Sequence, residues 1–244
     1  MALNEFQILT GIFSIIVVVI YSLVGLKIAS RYIEKRQRDF LLVGITWFGL
    51  ASPWWPSSLS FIIAMATGGN GLQDNPEIYF ILGNVLIPVF LITWIIAFTD
   101  LLYKEKQKII IWLFIIYGVA FEVVFFALLF SDPASIGELS GPVDVEYLSF
   151  VSIFLLSILV ILFITGYLFG RESMRSDNPE IKLKGKLIII SITLFDIGAA
   201  MDAALELTLP ILIVARIILI LSALGFYGGF LLPNWIKKLF LKSS

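Results

Sequence analysis

Arg216 is the residue in this chain whose type and position most demand an explanation. It sits in the middle of a long apolar run, and it is the only one of 17 Lys and Arg residues that falls outside four short basic clusters. A cation near the centre of a bilayer is unfavourable by roughly 3 kcal/mol or more, so it must be paired, hydrated or used. At about 1.5 Å of rise per helical residue, Arg216 and Asp202 both lie about 9 Å inside the turn Thr208-Leu209-Pro210. So short an antiparallel turn brings equal depths together, and an Asp202–Arg216 ion pair is expected. Two readings stay open for that pair: a staple that compensates two charges and fixes two helices, or part of a ligand site. Glu206, one turn from Asp202 on the same face, reads as interfacial.

Two further acids lack a basic partner at their own depth. Asp196 is about 18 Å from the same boundary, and Glu122 about 13 Å from the nearer end of its own apolar run. Buried carboxylates without a counter-charge take up protons, bond to neighbouring helices, face water or hold a cation. Asp196 and Glu122 are thus candidates for proton or cation linkage, against the plainer reading of protonated acids bonded to facing helices. Asp196 and Asp202 are six apart, about 240° around a helix, so they do not form a metal-binding pair on one face. The segment Ser52-Pro53-Trp54-Trp55-Pro56 places two prolines at mid-membrane depth, where a helix must kink or break. Broken helices at that depth can line a substrate site, although a plain packing kink is the commoner outcome. Trp54 and Trp55 are then walls of a ligand site or fillers of space, and Gly83-Asn84 with Pro88 supplies a polar group and a second bend. Arg216, Asp202, Asn84, Trp54 and Trp55 make up the candidate ligand-binding set.

The elements that hold these residues follow from composition. The chain is 59% hydrophobic and 14% charged over 244 residues, whereas soluble domains are about a quarter charged. Seven apolar runs, roughly 7–29, 40–67, 78–103, 109–130, 147–170, 187–207 and 210–232, are each long enough to span a hydrocarbon core of about 20 residues. The expected fold is an all-α integral membrane protein, one transmembrane domain over 1–244, in the cell membrane. The sixteen clustered cations all follow odd-numbered runs, at Lys27–Arg38, Lys104–Lys108, Arg171–Lys186 and Lys237–Lys242. The opposite loops carry Glu5, Asp74, Glu77, Asp132, Glu138, Asp144 and Glu146 and no cation, so the N-terminus is expected outside and the C-terminus in the cytoplasm. Residues 1–6 lack a basic n-region, and the first run reads as a retained anchor. The loop Ser131–Tyr147 contains Asp132-Pro133, Gly137 and Gly141-Pro142 and reads as either ordered or flexible. Asn178-Pro179-Glu180 with its flanking cations reads as a solvated loop near lipid headgroups, and Trp235 with Lys237 and Lys238 as an interfacial anchor. Gly166-x-x-x-Gly170 and Gly225-x-x-Gly228-Gly229 read as close-packing faces.

Chemistry is narrowed by what the chain lacks. It has no Cys and no His, which removes thiol nucleophiles, thiolate metal sites and the commonest metal and haem ligand. The last run offers Arg216 and no lysine for a retinal Schiff base. No cofactor, no catalytic residue and no nucleic-acid partner is expected. With external N-terminus and seven runs, the first three and last three share an orientation, so a parallel 3+1+3 repeat is allowed. Ile45-Thr46-Trp47-Phe48 then aligns with Ile192-Thr193-Leu194-Phe195.

Ser52-Pro53-Trp54-Trp55, Gly83-Asn84-Val85, Thr99-Asp100-Leu101-Leu102-Tyr103-Lys104-Glu105-Lys106-Gln107-Lys108 and Leu232-Pro233-Asn234-Trp235-Ile236-Lys237-Lys238 resemble an uncharacterised family of archaeal seven-helix proteins, seen chiefly in Asgard-type lineages. That resemblance implies no known activity. In architecture the chain is also similar to the 3+1+3 SWEET and PQ-loop transporters, whose helices 2 and 6 use Trp and helices 3 and 7 Asn; Trp55 and Asn84 fit, while Asp202 and Arg216 depart. It is similar in topology to seven-helix sensor domains as well. The function expected is therefore non-enzymatic transport or channel-like passage of a small polar or anionic solute, with possible proton or cation linkage. The alternative is a receptor-like sensor that binds an external ligand and signals to a separate cytoplasmic partner.

Overall fold

The computed structural model describes residues 3–205 and 207–241, and these are helical nearly throughout. Glu206, and Lys242 of the last basic cluster, lie outside the described residues. Among the described residues ten α-helices follow one another: α1 Glu5–Lys35, α2 Arg38–Gly49, α3 Trp55–Thr67, α4 Pro76–Asn84, α5 Ile87–Leu102, α6 Gln107–Ser131, α7 Ser149–Met174, α8 Pro179–Ala204, α9 Leu209–Leu231 and α10 Asn234–Phe240. Six stretches are long and apolar enough to cross a bilayer: α1, α4 with α5, α6 with the turn before it, α7, α8 and α9. This is the all-α architecture of a multi-pass membrane protein, interrupted by one small antiparallel ribbon, β1 Gly137–Glu138 and β2 Glu146–Tyr147.

The expected run 40–67 is not one helix. α2 stops at Gly49, a 3-10 turn spans Ser52–Trp54, and α3 begins at Trp55. Pro53 and Pro56 stand at the first positions of the pieces they open, where a missing N–H is tolerated. Pro53 leaves the Gly49 carbonyl without its intrahelical donor. Pro88 acts alike in the next run, where α4 ends at Asn84 and α5 starts at Ile87.

The segment expected as a solvated loop around Asn178-Pro179-Glu180 is instead the start of α8. Asn178 caps that helix by accepting the Glu180 N–H at 2.8 Å, and Pro179 takes the first helical position, as caps and N-terminal prolines do. Hydropathy marks where lipid ends; Lys, Glu and Leu carry a helix well past that limit. α1 extends to Lys35 for the same reason.

Helix pairs close through glycine. A β-carbon on Gly25 of α1 would stand 2.6 Å from the Gly44 carbonyl oxygen and 2.7 Å from the Phe48 nitrogen, both on α2. One on Gly170 of α7 would meet the Gly185 carbonyl of α8 at 2.8 Å, and one on Gly229 of α9 would meet Ile188 at 2.7 Å. Small residues let backbones approach where lipid supplies no hydrophobic drive to associate. α9 then packs on α1, which joins α7, α8 and α9 to the α1–α2–α5 group. α6 packs on α5 and meets α7 through rings, Phe121 lying 3.6 Å from Phe154 in a near-parallel stack.

The interior toward the basic end is aromatic. Trp47 stacks on Trp94 with centroids 5.5 Å apart and meets Phe226 edge-on at 4.3 Å. Trp94 donates its Nε1–H to Thr165 at 2.7 Å. The charges at that end pair outside this layer, Arg38 with Asp100 at 2.5 Å and Lys237 with Glu180 at 2.8 Å. Trp235, Leu239 and Phe240 of α10 are exposed beside Lys237 and Lys238.

Candidate functional site

At the acidic end, a cavity of about 780 Å³ reaches from exposed residues into the bundle. Asn4, Ser140 and Glu146 stand at its mouth, and Thr46, Leu91 and Leu162 at its depth. The broken helix forms one wall with Gly49, Ser52, Pro53, Trp54 and Ser57, and α8 forms another with Phe195, Ala199 and Asp202. Pro53 therefore does more than bend a helix: it lines the cavity beside Trp54 and removes one backbone donor from that wall.

The depth-matched acid and base meet on this wall. Arg216 Nη2 lies 3.0 Å from Asp202 Oδ1, and Asp202 Oδ2 accepts the Trp54 Nε1–H at 2.6 Å. The Arg216 guanidinium also lies over the Trp54 ring, 5.4 Å from its centroid, a cation–π arrangement. Arg216 is only 2% exposed. Its contact with Asp202 is an ion pair by distance but not an aligned hydrogen bond, for Asp202 Oδ1 and Arg216 Nε and Nη1 are buried without hydrogen-bond partners. A buried guanidinium with two idle donors is an unsatisfied arrangement.

The loop between α6 and α7 forms the roof, and it is ordered. Its apolar residues Ile136 and Val143 are 0% and 1% exposed. Ser60 of α3 accepts the Leu72 N–H at 2.8 Å and donates its own hydroxyl to the Pro142 carbonyl. Tyr79 of α4 hydrogen-bonds Ser57 at 2.7 Å and donates to the Val143 carbonyl at 3.4 Å. Gly137 lies so close to β2 that a β-carbon would sit 2.6 Å from the Glu146 carbonyl. This roof carries Asp144, whose carboxylate accepts from Ser140 Oγ at 3.2 Å and from the Val145 N–H at 3.1 Å. Burial pushes the Asp144 carboxyl up, while those hydrogen bonds and the Arg216 charge pull it down; burial prevails.

Arg216 and Asp202 thus meet at the equal depth expected of them, and Trp54, whose contact with both was not foreseen, joins them on the cavity wall. Asn84 is fully buried and reaches the cavity at second hand, donating its Nδ2 to the Tyr147 hydroxyl at 3.0 Å and to the Phe80 carbonyl at 2.9 Å. Burial raises the Tyr147 hydroxyl to about 12, so it stays protonated at any physiological pH. Trp55 turns away from the cavity and packs on Phe48 and Phe90, at 5.1 and 5.9 Å. Asp196 and Glu122 also stand off the wall; all four of their carboxylate oxygens are buried without hydrogen-bond partners. Tyr79, Tyr147 and Gln7 are polar cavity residues that sequence reasoning did not single out, and Asp144 was read only as a loop acid. A signal existed for the roof, because Ile136, Val143 and Val145 punctuate an otherwise acidic, Gly-Pro-rich loop.

Among the described residues, no group of three Asp or Glu side chains is placed to share a metal ion. The arrangement is equipped for binding by charge, hydrogen bond and apolar contact. Comparison with protein-family models, curated proteins and solved structures gives no match.

Proposed function

We propose that this chain is a non-enzymatic carrier or channel-like protein that takes a small polar solute from the side its acidic loops face. In this reading those loops lie outside the cell membrane and the cation-rich loops in the cytoplasm. The α2–α3 pair completes a seventh crossing, and the order α1–α2–α5 and α7–α8–α9 forms two parallel halves of a 3+1+3 plan.

The observation that carries the proposal is the 780 Å³ cavity that is lined by the buried Arg216–Asp202 pair and walled by a proline-broken helix. Irregular backbone at membrane depth is sustained where it lines a cavity, and ligand sites are concave, mainly apolar and furnished with a few convergent polar groups. Trp47, Trp94 and Phe226 pack on one another beside the inner end of the cavity, and such a packed layer suits an alternating-access carrier in one of its states. Asp196 and Glu122, buried and unpartnered, are the groups for proton or cation linkage.

Solute uptake into proteoliposomes tests this reading. Uptake falls on Arg216→Gln and loses its pH dependence on Asp196→Asn; uptake unchanged in both variants contradicts the proposal. The packed aromatic layer also suits a receptor-like sensor. Its signature is ligand-dependent retention of a cytoplasmic protein at the basic end, with no flux.

A further inference from the structure

The cavity's charges do not describe an anion site. Among the described residues, Asp202, Asp144 and Glu146 line it against the single cation Arg216. A simple anion would have to pass Glu146 at the mouth and Asp144 in the roof before reaching a guanidinium already paired with Asp202. A simple cation would be drawn to the mouth, but it would leave Arg216 Nε and Nη1 idle and add positive charge beside them. An uncharged polar solute would answer neither sign.

A ligand that carries both charges answers both. Its anionic oxygens can engage the unpartnered donors of Arg216, which with Trp54 forms part of the wall, and its ammonium can lie toward Asp144 and Glu146. Deeper than these poles the wall is apolar, made by Ile87, Leu91, Ile158, Leu162 and Phe195. That stretch calls for an apolar body beside the charged groups.

We infer that the ligand is a small zwitterion with an apolar body, its anionic group held by Arg216 and its ammonium by Asp144 of the roof. The inference rests on reading the cavity as a solute site, and it narrows the small polar solute to a zwitterionic one. The same chemistry has two sources, a free amino-acid-like solute or an ethanolamine phospholipid headgroup.

Calorimetric titration of the full chain in detergent distinguishes them, with L-phenylalanine, 2-phenylethylamine, 3-phenylpropionate, glucose and a short-chain phosphatidylethanolamine as probes. The expected result is that phenylalanine binds at least about ten-fold more tightly than either the amine or the acid, the worth of one charged hydrogen bond. Tighter binding of the phospholipid than of phenylalanine supports the zwitterion and assigns it to the headgroup. Equal or tighter binding of the amine, the acid or glucose overturns the zwitterion and leaves the solute site standing. Heat from none of the five overturns both. Because Arg216→Gln can fail to fold, Asp144→Asn in the roof serves as the second arm. It must lower phenylalanine affinity about ten-fold and leave 3-phenylpropionate no weaker. A parallel loss for both probes counts against the assigned ammonium partner.

Discussion

Replacing Asp202 by Asn isolates the charge of the buried pair. Asn keeps the volume and can still accept the Trp54 Nε1–H that Asp202 holds at 2.6 Å, so what is lost is the counter-charge to a guanidinium that is 2% exposed. Breaking a buried ion pair from one side costs about 3–5 kcal/mol. The Asp202 side chain keeps 16% of its surface exposed, which places the cost at the lower end, about 3 kcal/mol. Arg216→Met costs less, because a stranded carboxyl can take up a proton whereas a stranded guanidinium cannot release one. Met also replaces the guanidinium's buried surface with an apolar chain of comparable reach. The double variant is therefore about as stable as Arg216→Met alone, with a coupling energy of about 3 kcal/mol in magnitude, the full cost of Asp202→Asn. Equilibrium unfolding in bilayer discs, followed by tryptophan fluorescence, measures all four proteins. Additive single effects, or a larger loss for Arg216→Met than for Asp202→Asn, would refute the reasoning.

Three further outcomes follow from other parts of the fold. Ser60→Ala strands the buried Leu72 N–H and Pro142 carbonyl, costs about 1–3 kcal/mol, and speeds protease cleavage within 137–146; an unchanged cleavage rate argues that Ser60 does not hold the roof. Gly25→Ala drives a β-carbon onto backbone atoms of α2 and destabilises by about 1–3 kcal/mol, whereas Gly141→Ala, which meets only the end of the Gln7 side chain at 2.8 Å, changes the melting temperature little. Phenylalanine affinity falls as pH drops through a value above the ordinary aspartate range of about 3.9, because burial raises the Asp144 carboxyl and only its ionised form attracts an ammonium. Arg216 opposes that rise, and Glu146, Tyr79, Tyr147 and Asp202 are the other titratable groups on the wall among the described residues; affinity in Asp144→Asn should be flat across the same interval.

Charge and proline were the legible parts of this molecule. An arginine inside an apolar run must be compensated, and a short turn leaves few partners at its depth, so the Asp202 contact could be reached by counting helical rise. Pro53 and Pro56, which flank Trp54 and Trp55, removed donors whatever the tertiary context, and the break after Gly49 followed. What counting could not reach was orientation around each helix. Trp54 and Trp55 are neighbours in sequence, yet one borders the cavity and the other packs among Phe48 and Phe90, because about 100° of helical rotation separates them. Asn84 shows the same limit, since its depth was readable but its link to Tyr147 depends on a long-range fold of the roof. That roof was the least legible segment, for its order comes from single contacts to Ser60, Tyr79 and Asn84 rather than from any local periodicity. The basic flank of α8 erred in the other direction, because low hydropathy was read as the end of a helix that in fact begins at Pro179.

The central claim is that water and solute reach the Arg216–Asp202 wall from the acidic end. The chain has no cysteine, so single substitutions report access without background. Ala199 lines the cavity one turn deeper than Asp202, while Ala223 is fully buried in α9. In sealed vesicles of known orientation, Ala199→Cys is expected to react with a small charged methanethiosulfonate applied on the outer side, and Ala223→Cys to stay silent. An Ala199→Cys protein that is unreactive from outside, or reactive only from the cytoplasmic side, would contradict the account.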